Sequence, residues 1–203
     1  MANEQIKKKK GAKKKFFSVE IPLTATKAKL YGYTAEEFIN RVITLDLTKN
    51  LRGKNVELKA KIRAEKDSLE SDLISLKIVQ TYIRKVMRRG TDYVEDSFET
   101  DSKDSRLRIK PFLLTRNRVS RSIRNEIRKN TRKFLESHCT IRTTKEIFSD
   151  IMTNKLQKAL SLRVKKIYPL ALCEIRWIEV VGPASKSAKA EKAEPAETAF
   201  TTA

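Results

Sequence analysis

The chain has 203 residues, of which 45 are lysine or arginine and 25 are aspartate or glutamate, so its formal net charge is +20. This length allows one ample domain or two small ones, and so large an excess of positive charge attracts polyanions. Two isolated cysteines, Cys139 and Cys173, exclude a disulfide framework and fit a reducing compartment. No apolar run is long enough to span a membrane, and no apolar segment follows the basic N-terminus as in a secretory signal.

Residues 1–15 carry seven lysines and one glutamate. Because such a run repels itself, it is predicted to form a disordered arm in the free protein. Lysines at this density are typical of arms that become ordered on contact with phosphates. The candidate nucleic-acid contacts of this arm are Lys7, Lys8, Lys9, Lys10, Lys13, Lys14 and Lys15.

The folded part is predicted to begin at Phe16. Apolar and polar residues then alternate in several short runs, which predicts strands with one buried face. A capping-box pattern from Thr34 to Glu37 predicts a short helical turn over 34–39. The predicted strands cover residues 16–21, 27–31, 41–47, 55–63 and 67–77.

Apolar pairs recur with helical spacing from Ile78 to Met87 and predict a helix, with Gly90 at its C-terminal cap. The next two predicted strands, 93–100 and 106–114, form a hairpin across the turn 101–105. The first of these strands is acidic and the second is basic, which is a favourable cross-strand arrangement. The acidic residues between Asp92 and Asp104 are therefore interpreted as balancing the basic strand, although they could also hold a metal ion or face a basic partner.

The segment from Arg106 to Lys133 contains eleven basic residues and one acid, Glu126. Its second half is predicted to be a helix, because Val119, Ile123 and Ile127 recur every four residues. A helix so positive repels itself when alone and is favoured beside a dense polyanion such as nucleic acid. The candidate contacts are Arg116, Arg118, Arg121, Arg124, Arg128, Lys129, Arg132 and Lys133.

A second capping box, Thr143 to Glu146, predicts a long helix that ends near Ile167, before Pro169. A last strand is predicted over 170–181, and the alanine-rich residues 182–203 are predicted to form a disordered tail. The sum is one α+β domain over residues 16–181, with a largely antiparallel sheet and three main helices.

No assembled catalytic site can be drawn. The adjacent His138 and Cys139 point about 100° apart on a helix and are interpreted as structural, and the sequence contains no phosphate-binding glycine motif. One enzymatic alternative is a Mg²⁺-dependent nuclease that uses Asp46, Glu57 and Lys59. Another alternative is a DNA-binding protein of the chromatin type. Few aromatic residues lie outside core-like positions, with Phe112 and Tyr33 as the candidate exceptions, which favours backbone and shape recognition over the reading of base edges.

Several segments together resemble one known family, the small-subunit ribosomal proteins S-one-e of archaea and eukaryotes, also called S-three-a-e. The resemblance covers about residues 7–181 and is most specific in the basic strand–helix passage and in Lys166 to Leu170. Two departures from the family pattern are a phenylalanine before the first strand where a tryptophan is usual, and Asn117 within the basic run. The segments that carry the resemblance are the lysine arm and residues 16–22, 41–47, 106–112, 115–118, 121–133 and 166–170.

The resemblance implies an α+β protein with a central barrel-like sheet, a structural role in the cytoplasmic ribosome and no catalysis or cofactor. It implies a position on the platform of the small subunit, near the mRNA exit channel and the 3′ end of the rRNA. The implied partners are small-subunit rRNA and neighbouring ribosomal proteins, with mRNA nearby and no membrane. Carried over by motif, the residues that would face rRNA are Arg116, Arg118, Arg121, Arg124, Arg128 and Lys129.

Overall fold

The computed structural model describes residues 13–24, 27–49, 51, 53–65 and 68–184. They contain nine strands, four α-helices and one 3-10 helix, which confirms the predicted α+β class. The chain divides into two units: unit 1 holds the residues up to Thr44 together with Lys59–Leu73, and unit 2 holds Leu45–Leu58 and the residues from Ile74 onward. No helix of the described segments is both long and apolar enough to cross a membrane.

Unit 1 is built on short strands with alternating burial. Strand β1 pairs antiparallel with β2, and β1 pairs in parallel with β5 at Val19 and Leu69. Strand β5 also pairs with β4, and β4 pairs with β3. The elements that begin in or enter this unit are β1 (Lys15–Glu20), β2 (Lys27–Gly32), a 3-10 helix (Ala35–Phe38), β3 (Val42–Asp46), β4 (Val56–Glu65) and β5 (Ser68–Ile78).

Inward-facing residues of these strands form the core of unit 1. Val19, Phe38, Ile62 and Leu69 are buried there, with half-buried apolar neighbours around them. Each such side chain contributes roughly 1.5–3 kcal/mol when it leaves water. Gly32 is needed at the end of β2, because a Cβ atom added there would collide with the ring of Phe38.

Unit 2 contains the helices and the rest of the sheet. The last part of β5 pairs with β9, β9 pairs with β8, and β8 pairs with both β6 and β7; all of these pairings are antiparallel. The elements that begin in this unit are α1 (Gln80–Val86), β6 (Tyr93–Glu95), β7 (Phe98–Asp101), β8 (Ser105–Thr115), α2 (Arg121–Ile141), α3 (Thr144–Met152), α4 (Lys155–Val164) and β9 (Leu170–Pro183).

The core of unit 2 lies between one face of its sheet and the apolar faces of its helices. Strand β8 contributes Leu107 and Ile109, and β9 contributes Ile178, all fully buried. Helix α2 adds a stripe of Ile127, Thr131, Leu135 and Cys139, and α3 and α4 add Phe148, Leu156 and Leu160. The four-residue spacing read from the sequence therefore does mark the buried side of α2.

The sheet is largely antiparallel, as predicted, and becomes mixed through the parallel pair β1–β5. Its hydrogen-bonding order is open over the described residues. The barrel-like sheet implied by the family resemblance is therefore not what the structure contains. The alternation of apolar and polar residues along each strand does not predict whether a sheet closes into a barrel, because closure depends on whether the two edge strands pair.

The predicted acidic strand 93–100 is two strands, β6 and β7. The reason lies in the partner strand, where Pro111 has no N–H to donate and the register of β8 against β9 shifts between Lys110 and Pro111. Opposite this point the pairing of β8 changes from β7 to β6. Proline inside a central strand is accommodated here by irregular pairing on both sides.

The predicted helix from 143 to 167 is also two elements, α3 and α4. Its start is as expected, since Thr143 and Glu146 form a complete capping box. The break falls at Thr153 and Asn154, where Asn154 has a φ of 59° in the left-handed region. Asparagine tolerates that region better than most residues, and its Oδ1 accepts a 2.8 Å hydrogen bond from Lys54 Nζ.

The first and last strands extend slightly beyond the residues predicted for them. Lys15 already belongs to β1, and β9 continues to Pro183, with Ala184 buried beyond it. Residues 1–12 of the predicted arm and 185–203 of the predicted tail lie outside the described residues.

The His138–Cys139 pair is structural, as predicted. Cys139 is fully buried, and burial raises the pKa of its thiol to about 12, which leaves it unreactive. His138 stacks on Phe134 at 5.9 Å between ring centroids. Its Nε2 lies 3.9 Å from Asp150 Oδ2, but Asp150 is already paired with Arg142. Burial first, and the Arg142 guanidinium second, lower the pKa of His138 below its usual 6.5.

This lowered pKa predicts a pH dependence of stability. Below pH about 6.5 the unfolded chain binds a proton at this histidine that the folded chain does not, so the free energy of unfolding falls as the pH falls. His138 is the only histidine in the chain. Urea unfolding between pH about 7.5 and 5.5 should show this loss in the wild type and a flatter profile in His138→Gln. Parallel profiles for the two proteins would contradict the assignment.

Candidate nucleic-acid interface

Two basic residues of β8, Arg106 and Arg108, are neutralised within unit 2. Glu99 on β7 accepts from Arg106 at 2.6 Å and from Arg108 at 2.7 Å, and Glu179 on β9 lies 3.9 Å from Arg108. The bond from Arg108 is the main cause that lowers the pKa of Glu99. This confirms the predicted pairing of an acidic strand with a basic one, and it removes Arg106 and Arg108 from the candidates for a free cationic surface.

Lys110, the third basic residue of β8, lies over the ring of Trp177 with its Nζ 4.1 Å from the centroid. Across the described part of the chain, no three acidic, histidine or cysteine side chains are grouped so that they could hold a metal ion. Within the acidic stretch 92–104, Glu99 pairs with the basic strand, Glu95 pairs with Arg176 at 2.7 Å, and Asp92 accepts a hydrogen bond from the loop that follows β8.

The loop 116–119 between β8 and α2 is held by Asp92 and Thr115. The amide of Thr115 donates to the Asp92 carbonyl at 2.9 Å, and the amide of Asp92 donates back to Thr115 Oγ1 at 3.1 Å. At the other end of the loop the amide of Val119 donates to Asp92 Oδ2 at 3.0 Å. These bonds fix the backbone while the side chains of Arg116 and Arg118 remain exposed.

Helix α2 starts directly after this loop. Ser120 is its N-cap, and its hydroxyl accepts a 3.5 Å hydrogen bond from the amide of Ile123. The first turn contains no acidic residue, and Arg121 and Arg124 occupy it instead. Cations at the positive end of a helix dipole are unfavourable in the isolated protein, and a bound anion would reverse the sign of that interaction.

Five of the predicted contact residues are exposed, and among the described residues none of the five has an ion-pair partner. We call them the loop–helix surface. The helical rise places Arg121 and Lys133 about 18 Å apart along the axis. The loop–helix surface consists of Arg116, Arg118, Arg121, Lys129 and Lys133.

Three other predicted contact residues are less free to meet a phosphate. Arg124 is half-buried, and its Nε is buried without a hydrogen-bond partner. Arg128 donates to the Glu95 carbonyl at 3.3 Å and to Asn125 Oδ1 at 3.0 Å. Arg132 pairs with Glu136 at 2.8 Å and lies 5.4 Å from the ring centroid of Phe98. Arg128 and Arg132 would have to exchange internal partners for phosphates.

Two basic residues at α1 were not among the predicted contacts. Lys85 and Arg88, at and beyond the end of α1, line a cleft of about 530 Å³ together with Arg116. Tyr82 and Leu172 contribute to its apolar lining. The signal was present in the sequence as Arg84, Lys85, Arg88 and Arg89, which stand just before Gly90.

Of the predicted arm, Lys13, Lys14 and Lys15 are described, and all three are exposed in unit 1. Lys7, Lys8, Lys9 and Lys10 lie outside the described residues.

The nuclease constellation gains no support from the geometry. The Asp46 carboxylate is exposed and accepts hydrogen bonds from the amide and hydroxyl of Thr48. The bond from the Thr48 hydroxyl is the main cause that lowers the pKa of Asp46. This is the arrangement of a local turn, because an Asp side chain commonly accepts from the backbone two residues on.

A basic α+β protein that keeps exposed cations without acidic partners on one loop and helix has the charge distribution expected of a nucleic-acid-binding protein. Comparison with known families makes the assignment specific. The family model described as the Ribosomal S3Ae family matches residues 2–183. The chain belongs to this family.

Similarity to individual proteins agrees with this family assignment. The chain is 31% identical to the small ribosomal subunit protein eS1 of Sulfurisphaera tokodaii over 183 residues, which cover 86% of this chain and 95% of the relative. It is 27% identical to the protein of the same name from Nanoarchaeum equitans over 172 residues, 81% and 87% of the two chains. It is also 27% identical to that of Halorubrum lacusprofundi over 194 residues, 92% and 90% of the two chains.

Family membership establishes a ribosomal protein of the small subunit, a cytoplasmic ribonucleoprotein component that acts in translation. The family is structural, so the chain is not an enzyme. Ribosomal RNA and other ribosomal proteins are the partners that this class implies.

The contacts of Asp92 generate a prediction on the loop. Asp92→Ala removes the acceptor of the Val119 amide, which should lower the free energy of unfolding by about 1 kcal/mol. The amide of Val119 should exchange its hydrogen faster, which hydrogen exchange followed by NMR measures. Asp104→Ala removes an exposed carboxylate nearby in the sequence and serves as the matched control. Equal exchange rates at Val119 in wild type and Asp92→Ala would contradict the role assigned to Asp92.

Proposed function

We propose that this protein binds small-subunit rRNA through the loop–helix surface and the lysine-rich arm, and that it acts as a structural constituent of the subunit. The observation that carries the proposal is the contrast between two sets of cations in unit 2. Arg106 and Arg108 have acidic partners, whereas the five residues of the loop–helix surface have none among the described residues. Unpaired cations on a fixed scaffold are suited to backbone phosphates.

The N-terminal turn of α2 supports the same conclusion. Arg121 stands where the helix dipole is positive, and Arg116 and Arg118 flank the same point on a loop that Asp92 holds in place. A phosphate bound there would contact cationic side chains and the free amides of the helix start. The cleft beside Arg116 extends the positive surface to Lys85 and Arg88.

The proposal includes a position. On the family resemblance, the protein lies on the platform of the small subunit, near the mRNA exit channel and the 3′ end of the rRNA. Its neighbours there are other platform proteins, with mRNA close by. Family membership supports this position.

Fractionation of a cell lysate on a sucrose gradient tests the assembly. The protein should sediment with the small subunit and remain there through washing at moderate salt, since many phosphate contacts act together. A protein found mainly in the free fractions would contradict the proposal.

Salt dependence tests the surface. For six to ten neutralised phosphates, the affinity of the free protein for structured RNA should fall by about a thousand-fold or more between roughly 50 and 200 mM salt. Replacing Arg116, Arg118 and Arg121 by Gln should reduce the slope of log K against log salt by about 2–3. Fluorescence anisotropy with a labelled rRNA fragment measures both quantities.

A charge-matched variant is the control. Lys155, Lys158 and Lys165 are exposed on or just after α4, and replacing all three by Gln removes the same net charge from the same unit. This variant should keep the wild-type slope. If both triple variants change the slope equally, the RNA responds to overall charge and the loop–helix surface is not the site. Competition with duplex DNA separates an RNA-binding protein from a chromatin-type protein, which would prefer the DNA.

A further inference from the structure

The outer face of the β1–β2 hairpin in unit 1 exposes two aromatic rings side by side. Phe16 and Tyr31 are register partners on the two strands, and their ring centroids are 4.9 Å apart with the planes tilted by 41°. Phe16 is 72% exposed and Tyr31 is 57% exposed. Contiguous exposed apolar groups of this kind usually mark a binding surface.

Packing within unit 1 does not require these two rings, because they lie outside its core. Side chains alternate along a strand, and the neighbours that face inward, Phe17, Val19 and Leu30, already lie in or against the core. A shift of register that buried Phe16 would turn Val19 out of the core, so the two rings are held on the outside. Strand β2 pairs only with β1 among the described strands, which leaves the Tyr31 side of the pair open.

The surroundings of the ring pair are positively charged. Lys14 Nζ lies 5.4 Å from the ring centroid of Tyr31 and 5.4 Å from that of Tyr33. Lys29 is the next outward residue of β2, opposite Ser18. The one acid on β1 and β2, Glu20, is bound by Lys27 at 2.6 Å, and Glu70 stands opposite Glu20 on β5, at the far end of β1 from Phe16.

Exposed rings flanked by lysines are the combination that binds single-stranded nucleic acid, because rings stack on bases and cations contact the phosphates between them. An acidic protein segment would satisfy the lysines but would not need planar rings. A duplex would satisfy the lysines as well, but its bases are already stacked and cannot lie on a ring.

We propose that Phe16 and Tyr31 form a stacking platform for an unpaired nucleotide of RNA, with the flanking phosphates contacted by Lys14 and Lys29. The proposal rests on the proposed function and extends it, since the loop–helix surface contacts the RNA backbone and the stacking platform contacts RNA bases. Lys14 leaves the ring of Tyr31 when a base stacks there; a cation–π contact at an exposed site is weak, and the phosphate replaces it.

The test uses the full chain and two labelled probes, a single-stranded oligoadenylate of about 12 nucleotides and a blunt RNA duplex of the same length. Replacing Phe16 and Tyr31 by Leu keeps apolar bulk but removes the ring faces. This variant should bind the single strand about ten-fold or more weakly and bind the duplex as the wild type does. Its thermal unfolding should match the wild type, because both side chains are exposed.

The matched control keeps the rings. Phe16→Tyr with Tyr31→Phe should bind the single strand as the wild type does. A direct readout comes from Phe16→Trp in a Trp177→Phe background, which leaves one tryptophan on the platform. Its emission should be quenched by the oligoadenylate and unaffected by the duplex.

Different failures are distinguishable. If the leucine variant binds the single strand as tightly as the wild type, and its duplex binding and salt slope are intact, the stacking platform is overturned and the proposed function still stands. Failure of the wild type to bind either probe overturns the proposed function itself. If the leucine variant binds RNA normally but a neighbouring protein is lost from the small subunit, the rings are a protein-docking face. That result would also overturn the stacking platform.

Discussion

The arrangement of charge in unit 2 depends on the ion pairs that Glu99 makes with Arg106 and Arg108 across β7 and β8. Strand β8 lies between β9 and the pair β6 and β7, so unpaired arginines on it would repel each other in the middle of the sheet. Because acidic residues on both neighbouring strands compensate them, the sheet can form in a chain with a net charge of +20. Outside the sheet, the loop 116–119 and α2 keep cations that have no ion-pair partner among the described residues.

This division of charge has a functional consequence. A ribosomal protein must fold around its own core and still present enough cations to hold an RNA that repels itself. Here the backbone of the cationic loop is fixed by Asp92 and Thr115, both of which are bonded at their main chains as well. The loop–helix surface is thus carried on rigid elements. In unit 1 the register of β1 and β2 places the rings of Phe16 and Tyr31 opposite each other.

Several features were readable from local pattern because their physical causes are local. The capping box at Thr143 and Glu146 needs only residues three apart, and the buried stripe of α2 follows from helical periodicity. Features that depend on distant partners were not readable. The split of β6 from β7 follows from Pro111 on the partner strand, and the break at Asn154 interrupts an apolar pattern that continues on both sides. Arg124, Arg128 and Arg132 were predicted to be contacts, but the burial of Arg124 and the internal partners of Arg128 and Arg132 depend on the fold.

By itself, the sequence determined the family, the α+β class, the cationic segment and the pairing of an acidic strand with a basic one. The family follows from the resemblance of several segments, and composition, periodicity and residue type decide the other features; all of these are properties of the chain before it folds. Only the tertiary structure decided that the sheet stays open, which cations keep a free charge and which aromatic rings face outward. Each of these depends on pairings between residues far apart in sequence, and local periodicity does not encode which strands meet.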